Sequence, residues 1–335
     1  MGADALSDLL RAVRLSGAVF FHYELTGDWV AEAPAAKDCL PFVMPSAQHL
    51  IEYHVVTQGS CWGGLAGEAP VHLRTGDVIV FPQGDGHILS SAPGMRSAPD
   101  MTIYKDHGAT QLPFLHVVGE GGSDQTQLVC GFLGCDARPF NPLLAALPRM
   151  IRIGESDGTN PSWLGQFAGI AMAESRAKRA GGESVLARMS ELMFVEAVRR
   201  HLESLPAEQT GWLAGLRDRF VGRALNLLHG DPARAWTLAE LAKETGVSRS
   251  ALAERFTHLL GQPPMQYLAH WRMQIAATLL ASDSSNIRRI AAEVGYDSEA
   301  AFSRAFKKLV GMPPAAWRKS RAGGGSESPS PPERG

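Results

Sequence analysis

The stretch from 241 to 268, LAKETGVSRSALAERFTHLLGQPPMQYL, recurs from 290 to 318 as IAAEVGYDSEAAFSRAFKKLVGMPPAAWR, and this repeat decides the fold of the C-terminal part of the chain. Gly246 matches Gly295 at an offset of 49 residues. Beyond that turn the offset is 50, pairing Ser248 with Ser298, Leu252 with Phe302, Phe256 with Phe306, Pro263 and Pro264 with Pro313 and Pro314, and Tyr267 with Trp317. Each copy reads as a short helix, a turn opened by glycine, and a second helix. Thr237 to Glu240 has the pattern of a capping box, Ser248 and Ser298 are placed to cap the second helices, and Gly246 and Gly295 supply the positive-φ residue that ends a helix sharply. The expectation is two helix-turn-helix units, each presenting a second helix that fits a DNA major groove.

Between the copies, PPMQYLAHWRMQIAATLLAS opens with prolines suited to a helix start and runs without a breaker to about Ala281. Some eighteen helical residues span roughly 27 Å. With the flanking elements, that brings the two units near the roughly 34 Å between successive major-groove faces of one duplex. Leu252, Phe256, Phe302 and Phe306 take the buried positions of the second helices. The opposite face offers Arg249, Ser250, Ala253 and Glu254 in the first copy, and Glu299, Ala300, Ser303 and Arg304 in the second, to base edges. Arg304 is the strongest candidate, because a guanidinium bonds guanine O6 and N7 together. Arg272, Lys307, Lys308 and Arg318 are candidates for holding phosphate, which supplies affinity without choosing sequence.

SRSALAERF, the WRMQIAATLL linker, IAAEVGYDSEAAFSRAFKK and GMPPAAWR resemble the DNA-binding domain of AraC/XylS-type transcriptional regulators over about 100 residues. That resemblance implies a sequence-specific regulator, frequently an activator contacting RNA polymerase, whose front domain senses a signal or sets the oligomeric state, with a homodimer expected. The first copy departs in offering small or acidic residues at Ser250, Ala253 and Glu254.

Upstream the pattern changes. From 17 to 135, short runs such as VFFHYEL, HLIEYHVV, VHLRTGDVIVFP and HILSS, punctuated by Gly and Pro, read as an antiparallel barrel or sandwich. The Gly/Pro-rich stretch 91–126 reads as an insertion between strands. From 141 helical periodicity takes over, ending in SVLARMSELMFVEAVRRHLESL, where Val185, Leu186, Met189, Leu192, Met193 and Leu202 give an apolar face for packing on the barrel or for a dimer interface. The whole is expected to be α+β and multidomain: a cupin-like sensor barrel over 1–140, a helical linker and possible dimerisation region over 141–218, an all-α double helix-turn-helix domain over 219–320, and a disordered low-complexity tail over 321–335.

Gly76 and Asp77 followed by VIVF, Pro82, Gly84 and His87 give a G-x5-P-x-G-x2-H spacing, similar to the second motif of cupin barrels, where the histidine is a metal ligand. Where the first cupin motif normally has H-x-H and a carboxylate, this chain has Glu52, His54 and, past the turn, Cys61. EYHVVTQGSCW, GDVIVFPQGDGH and VCGFLGCDARPFNPLLAALPR also resemble the cupin sensor domain of one branch of AraC-type regulators, some of which respond to oxidants through cysteine. Imidazole and thiolate suit zinc, so His54, His87 and Cys130, with Cys61 or water, are the expected metal set. A small molecule, a metal or an oxidant is the expected signal. The competing reading, a metal-dependent cupin enzyme fused to a DNA-binding domain, is disfavoured: such sites commonly use three histidines and a carboxylate, and this barrel offers two histidines there.

Composition agrees. The 335 residues are 45% hydrophobic and 20% charged, with no run of eighteen apolar residues and no apolar leader, so a cytoplasmic protein that does not cross a membrane is expected. Four cysteines are too few for a disulfide framework. Net charge is −2, yet 221–320 holds 13 basic against 8 acidic residues, so an acidic front is joined to a basic back.

Overall fold

The computed structural model describes residues 4–105, 112–119, 125–154, 163–206, 208–282 and 285–322. The described residues form two compact units: those within 15–135 and 147–205, and those within 4–14, 136–146 and 206–322. This partition differs from the expected boundaries. Two helices assigned to the linker, Trp163–Ala177 and Gly182–Ser204, belong with the β-rich unit, while its helices Pro142–Ala146 and Trp212–Arg217 and residues 4–14, assigned to the barrel, belong with the helical one.

The β-rich unit has strands β1 (Ser16–Thr26), β2 (Val30–Ala33), β3 (His49–Gln58), β4 (Ser60–Leu65), β5 (Val71–Arg74), β6 (Val78–Phe81), β7 (His87–Ser90), β8 (Phe114–Val118), β9 (Gln125–Cys135) and β10 (Ile151–Ile153). They make a six-stranded sheet, ordered β10-β6-β3-β9-β1-β8, and a four-stranded sheet, ordered β2-β7-β4-β5. Pairing is antiparallel except between β1 and β8. Side chains alternate across a strand, so one face of each sheet feeds a shared apolar core that includes Phe21, Ile79, Phe81 and Phe132 from one sheet and Leu73 and Leu89 from the other. The expected insertion contains a 3-10 turn, Met101–Tyr104, and β8; its residues 106–111 and 120–124 lie outside the described residues.

The helices in chain order begin with α1 (Ala5–Ala12), α2 (Ala36–Val43), α3 (Pro142–Ala146), α4 (Trp163–Ala177), α5 (Gly182–Ser204) and α6 (Trp212–Arg217). The other face of the large sheet meets α5. Contact is close: a Cβ on Gly17 of β1 would lie 2.6 Å from the Ala187 carbonyl oxygen and 2.8 Å from Ser190 Cβ. The Tyr53 hydroxyl of β3 bonds the Ser190 hydroxyl, which donates to the Leu186 carbonyl. The buried face of α5 therefore carries Leu186, Ser190, Met193, Phe194, Ala197 and Val198, whereas Val185 and Leu192, expected on it, are exposed.

In the helical unit, α1 (Ala5–Ala12) is capped by Asp4 and buries Ala5 and Leu9. It packs on α7 (Arg219–Gly230) and α10 (Pro264–Ser282). The first helix-turn-helix is α8 (Leu238–Thr245) with α9 (Arg249–Leu260), and the second is α11 (Ile287–Glu293) with α12 (Glu299–Val310). The capping box at Thr237 forms, Ser248 and Ser298 cap α9 and α12, and Gly246 and Gly295 both have φ of +80°. Pro264 and Pro314 open α10 and α13 (Pro314–Ala322), where a missing N–H costs nothing. Of the tail expected to be disordered, 321 and 322 complete α13, and 323–335 lie outside the described residues.

Candidate functional site

Both second helices bury one stripe, Leu252 and Phe256 in α9 and Phe302 and Phe306 in α12, which turns the opposite stripe to solvent. Arg249, Ser250 and Glu254 are exposed on α9, and Glu299, Ala300 and Arg304 on α12, with Ala253 and Ser303 half-buried beside them. The eight side chains expected at base edges thus lie on two corresponding faces, four on each.

The four cations expected at phosphate divide differently. Lys307 and Lys308 are exposed in the last turn of α12. Arg318 is half-buried and donates to the Ser285 carbonyl. Arg272 is engaged inside the unit: Nε donates to the Pro232 carbonyl at 2.7 Å, Nη2 to Arg234 at 2.9 Å and Nη1 to Gly295 at 3.4 Å. With its fork engaged by three backbone oxygens, Arg272 is committed within the unit, which argues against the phosphate role expected of it. Nothing local in the sequence signals this engagement, because the acceptors lie 40, 38 and 23 residues away. Arg255, which the reading from sequence passed over, is exposed on α9 and paired with Asp218, whose carboxylate also caps α7.

The second site is in the β-rich unit. Glu52 and His54, two apart on β3, point to the same face, and β7 brings His87 to them. Among the described residues, the His, Cys and acidic side chains whose donor atoms converge within 4.8 Å are Glu52, His54 and His87, all buried. His54 Nε2 lies 2.6 Å from His87 Nε2, and a Glu52 oxygen lies 3.8 Å from the latter. The Asp85 carbonyl 3.0 Å from His87 Nδ1 can only accept, so Nδ1 carries the proton and Nε2 presents its lone pair to the cluster. Among the described residues, His54 Nδ1 and Glu52 Oε1 have no partner.

Two of the expected ligands are therefore corrected. Cys130, across the ladder from His54, and Cys61, on β4, belong to the apolar core and do not join the cluster. Burial pushes the Cys61 thiol up to about 12 and Cys130 well above its ordinary range, which disfavours the free thiolate that oxidation requires. The carboxylate of Glu52 stands where a thiolate was expected. Burial pushes Glu52 up to about 8 and His87 down to about 4, and His54, buried beside His87, falls well below the usual histidine range. The cluster opens on a cavity of about 440 Å³ whose lining is mainly apolar and aromatic, including Phe21, Tyr23, Leu89, Tyr104 and Phe132.

Residues 4–203 match the cupin family model and residues 241–320 a helix-turn-helix domain model. A Streptomyces lividans protein described as an AraC-like transcription regulator is 34% identical over 275 residues, covering 82% of this chain and 88% of that one. The HTH-type transcriptional regulator AlkR of Acinetobacter baylyi is 27% identical over 317 residues, 94% and 99% of the two chains. Among solved structures, the C-terminal domain of AraT, a response regulator from Geobacillus stearothermophilus, aligns at 34% identity over 31% of this chain and 87% of that one, with a TM-score of 0.31. With a cupin domain ahead of a doubled helix-turn-helix and a relative of this identity along most of its length, the chain belongs to the AraC-type DNA-binding transcriptional regulators.

Proposed function

We propose that the protein regulates transcription by laying α9 and α12 in successive major grooves of one DNA face, under the control of a ligand held in the cupin domain. The carrying observation is the equivalence of the two exposed faces, capped alike and joined by the nineteen-residue α10. Arg304 reads a guanine, flanked by Glu299, Ala300 and Ser303; Arg249, Ser250, Ala253 and Glu254 meet the neighbouring groove, and Lys307 and Lys308 hold phosphate. On this reading Arg304→Ala weakens binding to a duplex selected by the full chain by about 1–3 kcal/mol and relaxes choice at one base pair. Equal affinity of parent and variant on selected and random duplexes would remove α12 from the reading face.

Glu52, His54 and His87 fit a divalent ion of the zinc type: one carboxylate and two imidazoles whose Nε2 atoms face each other at 2.6 Å, one of them oriented by the Asp85 carbonyl, with Glu52 Oε1 buried and without a partner among the described residues. A bound ion would supply a Lewis-acidic point for a small effector in the cavity. The cavity lining favours an uncharged, largely apolar effector. Metal analysis of the purified chain is expected to give about one equivalent per chain, lost in His87→Ala and in Glu52→Gln. A metal-free parent would leave a purely organic effector as the signal. Direct oxidation of the thiols is the weaker reading, given their burial. Since relatives along the chain are described as regulators, control of polymerase, with activation as the expected sign, is favoured over turnover. A homodimer through the exposed Val185 and Leu192 of α5 suits that role. Among the described residues no helix is long and apolar enough to cross a membrane.

A further inference from the structure

We infer that Arg272 is a positioning residue that sets the spacing and rotation between the two reading helices. It stands in α10, the helix that joins the two motifs, and its guanidinium reaches both of them. Nε and Nη2 hold the Pro232 and Arg234 carbonyls in the segment leading into α8, and Nη1 reaches the Gly295 carbonyl in the turn between α11 and α12. The same group lies 5.8 Å over the ring of Tyr296, the next residue of that turn.

The two segments it joins also touch. Gly295, at φ +80°, lies so close to the lead-in segment that a Cβ would sit 2.4 Å from the Ala233 carbonyl oxygen and 2.9 Å from the Ala233 Cα. That segment is itself anchored, with Trp236 Nε1 donating to the Asp231 carbonyl at 2.9 Å and Arg234 lying over the Trp236 ring at 3.9 Å. One planar, five-donor group thus bridges the start of the first motif and the turn of the second, a task for which the three donors of a lysine on a single nitrogen are poorly shaped. Because α9 follows directly from the first motif's opening helix and α12 from the second motif's turn, the bridge fixes where the two reading helices stand. DNA offers its grooves at a fixed repeat, so this distance is part of sequence recognition.

The inference rests on the reading that α9 and α12 engage one duplex, and its test separates the two. The full chain first selects a duplex from a random pool; a second duplex carries one extra base pair between the two contacted segments. The parent is expected to bind the lengthened duplex at least about tenfold more weakly. Arg272→Lys and Arg272→Gln are expected to keep the parent's affinity for random duplex, to bind the selected duplex about tenfold more weakly, and to discriminate between the two spacings by less than about threefold. Gly295→Ala, which drives the turn away from Ala233 while leaving Arg272 intact, is expected to lose spacing preference in the same way. Variants that keep the parent's spacing ratio while losing affinity on every duplex would overturn the inference, since a phosphate contact or a general loss of stability acts equally on both spacings. A parent indifferent to the inserted base pair would instead overturn the two-helix reading.

Discussion

His229 shows how one buried side chain ties the helical unit to pH. Its Nε2 lies 2.7 Å from the Tyr267 hydroxyl, which is also 2.7 Å from Trp212 Nε1. An indole N–H only donates, so the tyrosine oxygen accepts from Trp212, and a neutral imidazole can accept the Tyr267 proton at Nε2. The ring stacks on Trp271 at 4.0 Å, and burial pushes its pKa down to about 3, with the Asp4 carboxylate pulling weakly the other way. The unfolded chain takes up this proton near the ordinary value of about 6.5 and the folded chain resists it, so the contribution to stability is complete above that value and is lost as pH falls towards 3. Between pH 7 and 5 the expected loss is about 2 kcal/mol. Denaturant melts of parent and His229→Gln at the two pH values check it: the variant should be less stable at pH 7 but show a shallower pH dependence, and equal slopes would mean that the imidazole takes up its proton as readily in the fold as in the unfolded chain.

At the scale of elements, what was legible in the sequence is what local chemistry determines. The caps at Thr237, Ser248 and Ser298, the left-handed glycines at 246 and 295 and the prolines opening α10 and α13 each act within a few residues, so the doubled helix-turn-helix could be read directly. The exposed faces of α9 and α12 followed from the same periodicity. The face of α5 followed only in part: Leu186 and Met193 are buried as read, but Gly17 on β1 admits the helix backbone, so the small Ser190 and Ala197 go inward while Val185 and Leu192 stay out. At the candidate metal cluster, His54 and His87 were readable from the cupin spacing. Glu52 carried a signal too, being two residues from His54 and therefore on its face, but thiols are the stronger zinc ligands and drew the assignment to Cys130 and Cys61. The engagement of Arg272 had no local signature at all, since it depends on carbonyls brought in by the fold.

For the molecule as a whole, the sequence order of the units misleads, because the chain passes from one unit to the other four times. Residues 4–14 and the segment 136–146 are structural parts of the DNA-binding unit. Ala12 ends α1 by accepting from the amide of Gln274 at 3.0 Å and the hydroxyl of Thr278 at 2.7 Å, both on α10. The other end of the fully buried Gln274 amide accepts from the Phe140 N–H at 3.0 Å. Arg14 makes two bonds to Asp136, at 2.8 and 3.0 Å, and Arg321 of α13 lies 3.5 Å from the same carboxylate. Leu9 is fully buried on α1, which packs on α7 and α10. Leu9→Ala is therefore expected to destabilise the helical unit by about 2–5 kcal/mol, the cost of a core leucine truncation. Native-state hydrogen exchange reads where that loss falls, because opening is local to the unit that lost its support. Protection should drop in peptides from α7 and α10 and stay unchanged in peptides from β3 and β9, with affinity for the selected duplex falling in parallel. Loss confined to the strands would place the N-terminal helix with the cupin domain, as its position in the sequence suggests; loss in α7 and α10 means that residues at one end of the chain support the DNA-reading apparatus at the other.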